Sequence, residues 1–289
     1  MSTADETNIS VCICARNRPD ELRRALTSVS QSSFAPKQVV VSDDSDDDRV
    51  ASLVDEYPLS ITYTRGPRSG LGANRNHSIS LVTGEHLLFL DDDAALGRDF
   101  LREIGDCLAS MPPERRAKTI VTGAEVQSGR TITPNKQGFL GFQSREYRPN
   151  EPMRTVVINA AVFPRSLFDK VRFDPSLIYG YDEVDITTQA VALGYTITPC
   201  FEAANTHYPS AIGRDEYRPY IHASRLYVTL KRRRWTEGSR LRGWGGFWLG
   251  AVHVYLASVR RCGLSGVGEA RRSVTYALTY YTNFIHSSD

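Results

Sequence analysis

The segment Leu87-Leu88-Phe89-Leu90-Asp91-Asp92-Asp93 joins four apolar residues directly to three aspartates. The apolar run predicts a buried strand, and the carboxylates behind it predict a polar site at the strand's carboxyl end. Adjacent carboxylates repel one another unless a cation compensates them, and hard oxygen ligands suit Mg²⁺ or Mn²⁺. In extended backbone Asp91 and Asp93 share a face, so this pair is predicted to hold the ion while Asp92 points elsewhere. A solvated acidic turn is the alternative.

Strand-then-helix units lie on the amino-terminal side of this segment. The sequence predicts strands at 9–14, 39–41 and 61–63, and helices at 20–29, 50–57 and 73–81. This alternation is typical of an α/β fold with a Rossmann-like, mostly parallel sheet flanked by helices. Because ligands of such sheets bind outside the carboxyl ends of the strands, we expect the polar residues after each strand to meet there.

A glycine-rich loop, residues 66–72, follows the third predicted strand. It does not carry the dinucleotide fingerprint, because no glycine follows three residues after Gly72, and the chain has no P-loop. The loop leads into a predicted helix with Arg75 in its first turn, an arrangement that predicts a diphosphate contact. A plain loop is the alternative.

A second acidic cluster, Tyr181-Asp182-Glu183-Val184-Asp185, begins another helical pattern that ends near Gly194. Asp182 stands where a helix N-cap is expected, and the next two acids would lie in the first turn, where the helix dipole favours negative charge. Helix capping alone is therefore one interpretation of this cluster.

Taken in order, these pieces resemble glycosyltransferase family 2, nucleotide-sugar transferases of the GT-A fold, over about residues 9–210. The resemblance rests on five segments: Val11-Cys12-Ile13-Cys14-Ala15-Arg16-Asn17-Arg18-Pro19, Val40-Val41-Ser42-Asp43-Asp44-Ser45, Gly72-Ala73-Asn74-Arg75-Asn76, Phe89-Leu90-Asp91-Asp92-Asp93 and Tyr181-Asp182-Glu183-Val184-Asp185. Each is similar to a family motif, and their order matches the family's order. The resemblance implies a GT-A type α/β domain, and residues 222–289, which lie beyond it, are predicted to form a helical extension at the carboxyl end.

The resemblance also assigns donor-binding roles. It implies that Asp44 holds the base or ribose of the donor, with Arg16 and Arg75 assisting, and that Gly72 and Asp92 lie against the donor. The donor would be a nucleoside diphosphate sugar, linked to UDP or dTDP.

The metal and the catalytic base follow from the same resemblance. Asp91 and Asp93 would bind Mn²⁺ or Mg²⁺, and His207 matches a histidine that approaches the metal or the diphosphate; a surface-loop histidine is the alternative. The family's base falls on Glu183, while Asp182 competes for that role because the usual Glu-Asp order is inverted. Gln189 replaces an arginine that commonly closes the motif.

The implied reaction is inverting transfer of a sugar to a hydroxyl of a glycan, a lipid-linked or a small-molecule acceptor. A metal-dependent nucleotidyltransferase or phosphohydrolase is one alternative, although the Gly-rich, Arg-containing loop expected of sugar-nucleotide pyrophosphorylases is missing after Cys14. A sugar-nucleotide sensor or scaffold without transfer activity is the other.

Composition predicts a globular protein without a nucleic-acid partner, since 41% of residues are hydrophobic, 24% are charged and the formal net charge is +2. Residues 1–6 lack a positive, apolar leader, so a cytoplasmic location is expected. The five cysteines are scattered and are predicted to be reduced thiols.

Two domains are predicted from this organisation. Residues 1–221 would form the catalytic domain, with a nucleotide-sugar half at 9–110 and an acceptor half at 111–221, and 222–289 a basic, aromatic helical extension. Within the extension, 244–256 is apolar but too short to span a bilayer. Its flanking arginines predict peripheral contact with the inner face of a membrane through residues 231–261. A packed helix pair or a homodimer surface is the alternative.

Overall fold

The computed structural model describes residues 8–209 and 214–288. The elements up to the centre of the chain are β1 (Ile9–Ala15), α1 (Pro19–Ser30), β2 (Gln38–Asp43), α2 (Arg49–Val54), β3 (Ile61–Arg65), α3 (Leu71–Ile79), β4 (His86–Asp91), β5 (Ala94–Ala95), α4 (Phe100–Ala109) and α5 (Pro113–Arg116). Those that follow are β6 (Thr119–Gln127), β7 (Arg130–Ile132), β8 (Asn135–Gln137), β9 (Gln143–Glu146), β10 (Ala161–Pro164), α6 (Asp182–Ala192), β11 (Thr196–His207), α7 (Arg214–Lys231), α8 (Arg240–Cys262) and α9 (Gly266–Ser288). The predicted strand-helix units are confirmed, with ends shifted by a few residues.

The main sheet has the strand order β3-β2-β1-β4-β10-β6-β11-β5, with β7 paired to β6. Strands β1 to β4 are parallel, β10 is antiparallel to its two neighbours, and β11 runs parallel to β6. In register, Ala15 pairs with Asp43, Asp43 with Arg65, and Cys14 with Asp91. The predicted mostly parallel sheet is therefore confirmed, and the carboxyl ends of its first four strands lie along one edge.

Helices cover both faces of this sheet. Along β1, Val11 and Ile13 pack into a core cluster with Leu22 and Leu26 of α1, whereas Cys12 belongs to the cluster on the opposite face. This second cluster contains four phenylalanines whose rings pack edge-on or stacked: Phe89, Phe163, Phe168 and Phe173. Because both faces are buried, the strands read as continuous apolar runs.

The structure of segment 111–155 is more regular than its composition predicts. Its composition predicts loop and irregular sheet, but the structure contains the nine-residue strand β6 between β10 and β11, and the hairpin of β8 and β9. Besides its short local partner β7, strand β6 pairs with β10 and β11, whose residues lie more than 30 positions away in sequence. That long-range pairing is absent from local composition, which is dominated by the Pro, Gly and Arg residues on either side.

The carboxyl-terminal helices α7, α8 and α9 share a third core cluster, and a π-helical turn, Arg232–Thr236, lies between α7 and α8. A Cβ at Gly250 of α8 would lie 2.6 Å from a Leu226 methyl of α7, so this glycine permits close helix contact. Helix α7 continues through residue 221, and the division of the chain at that position stays a prediction. Across 8–209 and 214–288, no helix is both long and apolar enough to cross a membrane.

A buried ion cluster joins α7 to the sheet domain. The Nζ of Lys231 lies 2.9 Å from a carboxylate oxygen of Asp174 and 2.9 Å from one of Asp185. Asp185 belongs to the first turn of α6. Tyr227 donates to the same Asp174 oxygen at 2.5 Å. Burial opposes the charge on Lys231, but the two carboxylates raise its pKa above the ordinary value. The ammonium therefore compensates both buried acids, and its contact with Asp185 fixes α7 against α6.

Replacing that ammonium should destabilise the protein strongly. We expect Lys231→Met to lower the free energy of unfolding by about 3–5 kcal/mol at pH 7, because two buried carboxylates would lose their counter-ion. The difference in free energy of unfolding between wild type and variant should shrink at low pH. The pKa of Asp174 is depressed in the folded protein, so the stability that its charge contributes is lost as the pH falls. Chemical denaturation at several pH values measures the free energy of unfolding of wild type and variant. The control is Lys136→Met, at a partly exposed pair with Glu151, which should cost much less because solvent screens that pair. Equal losses would contradict this account.

Candidate active site

The Asp triplet lies at the carboxyl edge of the sheet, but not in extended backbone throughout. Strand β4 ends at Asp91, and the two following aspartates form a turn before β5. One nitrogen of Arg18 lies 3.3 Å from Asp92 and 3.2 Å from Asp93. The expectation that Asp91 and Asp93 share a face is therefore wrong, because the chain turns after Asp91 and brings the other two carboxylates to a common arginine.

Arg75 connects the triplet to the second acidic cluster. Its side chain is only 3% exposed; one guanidinium nitrogen donates to Asp91 at 2.9 Å, and another forms a short ion pair with Asp182. The guanidinium carbon also lies 5.4 Å from the ring centroid of Phe173. The structure thus brings Asp91, Arg75 and Asp182 together, although the two acids are far apart in sequence.

At the start of α6, the two candidate bases Asp182 and Glu183 have different surroundings. The N-cap residue is Tyr181, with a left-handed φ of 67°, so the prediction that Asp182 is the N-cap is wrong and Asp182 is the first helical residue. Glu183 Oε1 accepts a hydrogen bond from the Gln143 amide at 2.9 Å. Burial raises the pKa of Glu183 above its ordinary value. Asp182 therefore has a cationic partner, whereas Glu183 is hydrogen-bonded to a neutral amide.

His207, the last residue of β11, lies between two carboxylates. Its Nε2 is 3.3 Å from Asp93 and its Nδ1 is 3.0 Å from Glu125 of β6. The Asn159 amide donates to Glu125 at 3.1 Å and accepts from the backbone N–H of Asp91 at 2.8 Å. A continuous set of hydrogen bonds therefore runs from β4 through Asn159 and Glu125 to His207 and back to the triplet.

The electrostatics of this set follow from its charges. Burial would lower the pKa of His207, but hydrogen bonds to Asp93 and Glu125 raise it to about 10. Burial also dominates at Asp92, whose pKa is raised to about 7 although Arg18 acts against the shift. The pKa of Asp93 is lowered despite burial, because His207 and Arg18 stabilise its charge.

The remaining predicted donor-binding residues have distinct positions. Asp44 is buried, and its Oδ1 accepts from the backbone N–H of Arg68 in the glycine-rich loop at 2.9 Å. Arg16 is exposed after β1. A Cβ at Gly72 would lie 2.9 Å from the carbonyl oxygen of Asp174, so packing alone requires a glycine there. Gln189, at the position of the missing arginine, donates to Asp185 at 2.9 Å.

Four residues of this region have no role assigned from sequence. Two of them, Arg18 and Asn159, had signals: Arg18 is in the segment after β1, and Asn159 interrupts an apolar run. Glu125 and Gln143 are polar residues among others in the segment 111–155, so no local signal distinguished them.

A metal ion can be tested against these donors. In the part of the chain that the structure describes, no three His, Cys, Asp or Glu side chains converge with the geometry of a metal site. Asp93 Oδ1 and His207 Nε2 are 3.3 Å apart, close to the separation of about 3 Å expected of neighbouring ligands on one ion. A carboxylate and an imidazole suit Mn²⁺ better than Mg²⁺. Asp93 and His207 are therefore close enough to share a divalent ion, while Asp93 also contacts Arg18 and Asp91 is paired with Arg75.

Comparison with known proteins identifies similar sequences. The family model described as "Glycosyl transferase family 2" matches residues 10–171. The chain is 30% identical over 103 residues to the succinoglycan biosynthesis protein ExoM of Rhizobium meliloti, covering 34% of this chain and 33% of that protein. It is 31% identical over 97 residues to a Campylobacter jejuni GalNAc(5)-diNAcBac-PP-undecaprenol beta-1,3-glucosyltransferase, covering 30% of each. The aligned regions thus span about a third of these relatives.

Among solved structures, the fold is similar to that of the mannosyltransferase PcManGT from Pyrobaculum calidifontis in complex with GDP-Man and Mn²⁺. The TM-score is 0.61 at 14% identity, with 96% of this chain and 87% of the other covered. At this identity the likeness concerns the fold. It confirms the expected GT-A type architecture.

The pKa of His207 should depend on its hydrogen bond with Glu125. We expect Glu125→Gln to lower the pKa of His207 below about 10, because one of two charged acceptors becomes neutral. NMR titration of the metal-free protein measures this, with a His207→Gln spectrum for assignment. His86, at the opposite end of β4, is the internal control and should keep its burial-lowered pKa. An unchanged pKa at His207 would mean that Glu125 does not hold the imidazolium.

Proposed function

The chain belongs to glycosyltransferase family 2, and from this membership we propose that it is an inverting, metal-dependent transferase with Glu183 as general base. It would move a hexosyl or deoxyhexosyl group from a nucleoside diphosphate sugar to an acceptor hydroxyl. The observation that carries this proposal is the difference between the two acids at the start of α6. Asp182 is compensated by Arg75, while Glu183 is hydrogen-bonded to the neutral amide of Gln143.

This difference favours Glu183 over Asp182 as the base. A carboxylate in an ion pair with a buried guanidinium has a stabilised charge and little tendency to take up a proton. Burial moves the pKa of Glu183 in the opposite direction, toward the range in which a carboxylate accepts a proton effectively. Gln143 would hold one Glu183 oxygen in place and leave the other for the acceptor.

The proposed reaction is a single displacement. The acceptor oxygen forms a bond to the anomeric carbon, the bond from that carbon to the diphosphate oxygen breaks, and the acceptor proton passes to Glu183. The nucleoside diphosphate leaves with the bonding electrons. Attack from the face opposite the leaving group inverts the anomeric configuration, so one carboxylate base is sufficient for this chemistry.

The donor would lie along the carboxyl edge of β1 to β4. Asp44 would contact the base or ribose, with Arg16 and Gly72 lining the donor site and Asp92 reaching the sugar or ribose. Asp93 and His207 would hold the divalent ion, with Asp91 nearby. When bound, that ion would act as a Lewis acid that stabilises charge on the diphosphate. Arg75 would orient Asp91 and the diphosphate.

The acceptor is proposed from two relatives of the chain. One relative is a succinoglycan biosynthesis protein and another acts on a saccharide linked to PP-undecaprenol. We therefore propose a glycan or lipid-linked acceptor in polysaccharide biosynthesis, while the cytoplasmic location stays a prediction. UDP or dTDP as the donor nucleotide remains a proposal, as does Mn²⁺ or Mg²⁺. The homodimer stays a prediction.

A donor panel tests the transferase proposal. We expect one of the UDP-, dTDP- or GDP-sugars to bind in the presence of Mn²⁺ and to be hydrolysed slowly without an acceptor, because the donor edge would activate the leaving group. Calorimetry measures binding, and NMR of the released sugar gives its anomeric configuration. Asp44→Ala should weaken binding, whereas Asp55→Ala, at the end of α2, should not. Failure of every donor to bind, with or without metal, would reject transfer.

Substitution of the proposed base provides a sharper prediction. Glu183→Gln should reduce transfer about 10²–10⁴-fold, because the amide cannot accept the acceptor proton, while donor binding should stay close to wild type. Initial rates and donor titrations on the same preparation separate these effects. Glu114→Gln, an exposed residue of α5, is the matched control. Full activity in Glu183→Gln together with loss in Asp182→Asn would instead assign the base to Asp182.

A further inference from the structure

Helix α8 is apolar on two opposite sides. Its inner side packs into the cluster shared with α7 and α9 through residues such as Phe247 and Val254. Its outer side carries a row of exposed apolar side chains: Leu241, Trp248, Leu249, Val252, Leu256 and Val259. Leu241 is 90% exposed and Leu256 is 68% exposed. We call this row the outer face of α8.

The outer face forms one continuous stripe. Its members recur at intervals of three, four and seven residues, which place them on one side of an α-helix. The helix has 23 residues and is therefore about 34 Å long. Just beyond its end, Leu264 is 88% exposed and extends the apolar surface. A soluble protein rarely exposes an apolar patch of this extent without a partner.

The charged residues of α8 itself are all basic, although Arg261 near its end forms an ion pair with Glu269 of α9. No Asp or Glu occurs between residues 239 and 268, whereas Arg240 and Arg242 lie at one end of α8 and Arg260 and Arg261 at the other. Arg271 and Arg272 of α9 are exposed as well. An apolar stripe ending in arginines complements a layer of anionic head groups above hydrocarbon.

We propose that the outer face of α8 binds an anionic lipid surface, with the helix lying in the plane of the interface. The apolar side chains would enter the boundary between head groups and acyl chains, and the arginines would contact lipid phosphates. A second copy of the chain fits less well. Two-fold packing of antiparallel α8 helices would bring Arg242 of one copy near Arg260 of the other, and α8 carries no carboxylate to compensate them.

The position of α8 links this surface to the proposed reaction. His253 of α8 packs against Phe142, with ring centroids 5.1 Å apart, and Phe142 precedes Gln143, the partner of Glu183. This point rests on the proposed function, in which Glu183 is the base. The lipid surface would then lie on the acceptor side of Glu183. That arrangement would suit an acceptor saccharide attached to a lipid carrier.

Vesicle flotation without donor or acceptor tests the proposal. Wild-type protein should float with vesicles of phosphatidylglycerol and phosphatidylcholine, and much less with phosphatidylcholine alone or in high salt. The double variant Trp248→Glu, Leu256→Glu should bind at least about tenfold more weakly, because it places charge in the apolar layer. Leu193→Glu, at an exposed apolar position after α6, is the control and should bind like wild type.

A spectroscopic readout keeps the result independent of catalysis and folding. Vesicles should shift tryptophan emission to shorter wavelength in wild type, and Trp248→Phe should lose most of that shift while still floating. The far-ultraviolet circular dichroism and thermal midpoint of each variant show that it is folded, so the lipid proposal is judged separately from the transferase proposal. Absence of flotation by wild type, equal flotation by the double variant, or a wild-type dimer that the double variant converts to monomer would overturn the lipid proposal.

Discussion

The candidate site depends on the buried guanidinium of Arg75. It joins Asp91 at the end of β4 to Asp182 at the start of α6, two acids separated by about a third of the chain. Removing one partner of a buried ion pair costs about 3–5 kcal/mol, because the other charge is left uncompensated. Since Arg75 is itself carried by α3, one side chain fixes three elements relative to one another. The geometry of the acidic edge follows from this constraint.

The acids around Arg75 are held in different electrostatic states. Arg18 bridges Asp92 and Asp93, His207 lies between Asp93 and Glu125, and Glu183 has an amide as its hydrogen-bond partner. Asp93 keeps its charge because His207 and Arg18 stabilise it, whereas burial raises the pKa of Asp92 and of Glu183, so these two carboxylates hold a proton more readily. A site that combines both states can bind a cation and accept a proton, and this combination underlies the proposed division between metal ligands and base.

The carboxyl-terminal helices also contribute to this site. Lys231 fixes α7 to Asp185 of α6, and Arg225 of α7 donates to the Leu140 carbonyl at 2.6 Å while lying 3.9 Å from the Phe142 ring centroid. These contacts hold the loop that leads to Gln143. The helices therefore support the residues beside Glu183, and α8, on the outside of the same bundle, presents the surface for which we propose a lipid partner.

The sequence by itself determined the α/β class, the strand-helix order and the location of the acidic edge, because apolar runs and polar strand ends are local signals. It also identified Arg75, Asp91 and the acids of α6. Only the tertiary structure decided their partners: Arg18 for Asp92 and Asp93, Glu125 for His207, and Gln143 for Glu183. Glu125 lies in β6, which pairs with the distant strands β10 and β11, whereas Gln143 lies in the local hairpin of β8 and β9 and meets Glu183 40 positions further along the chain. A polar residue has no local pattern that reveals which distant side chain it will meet.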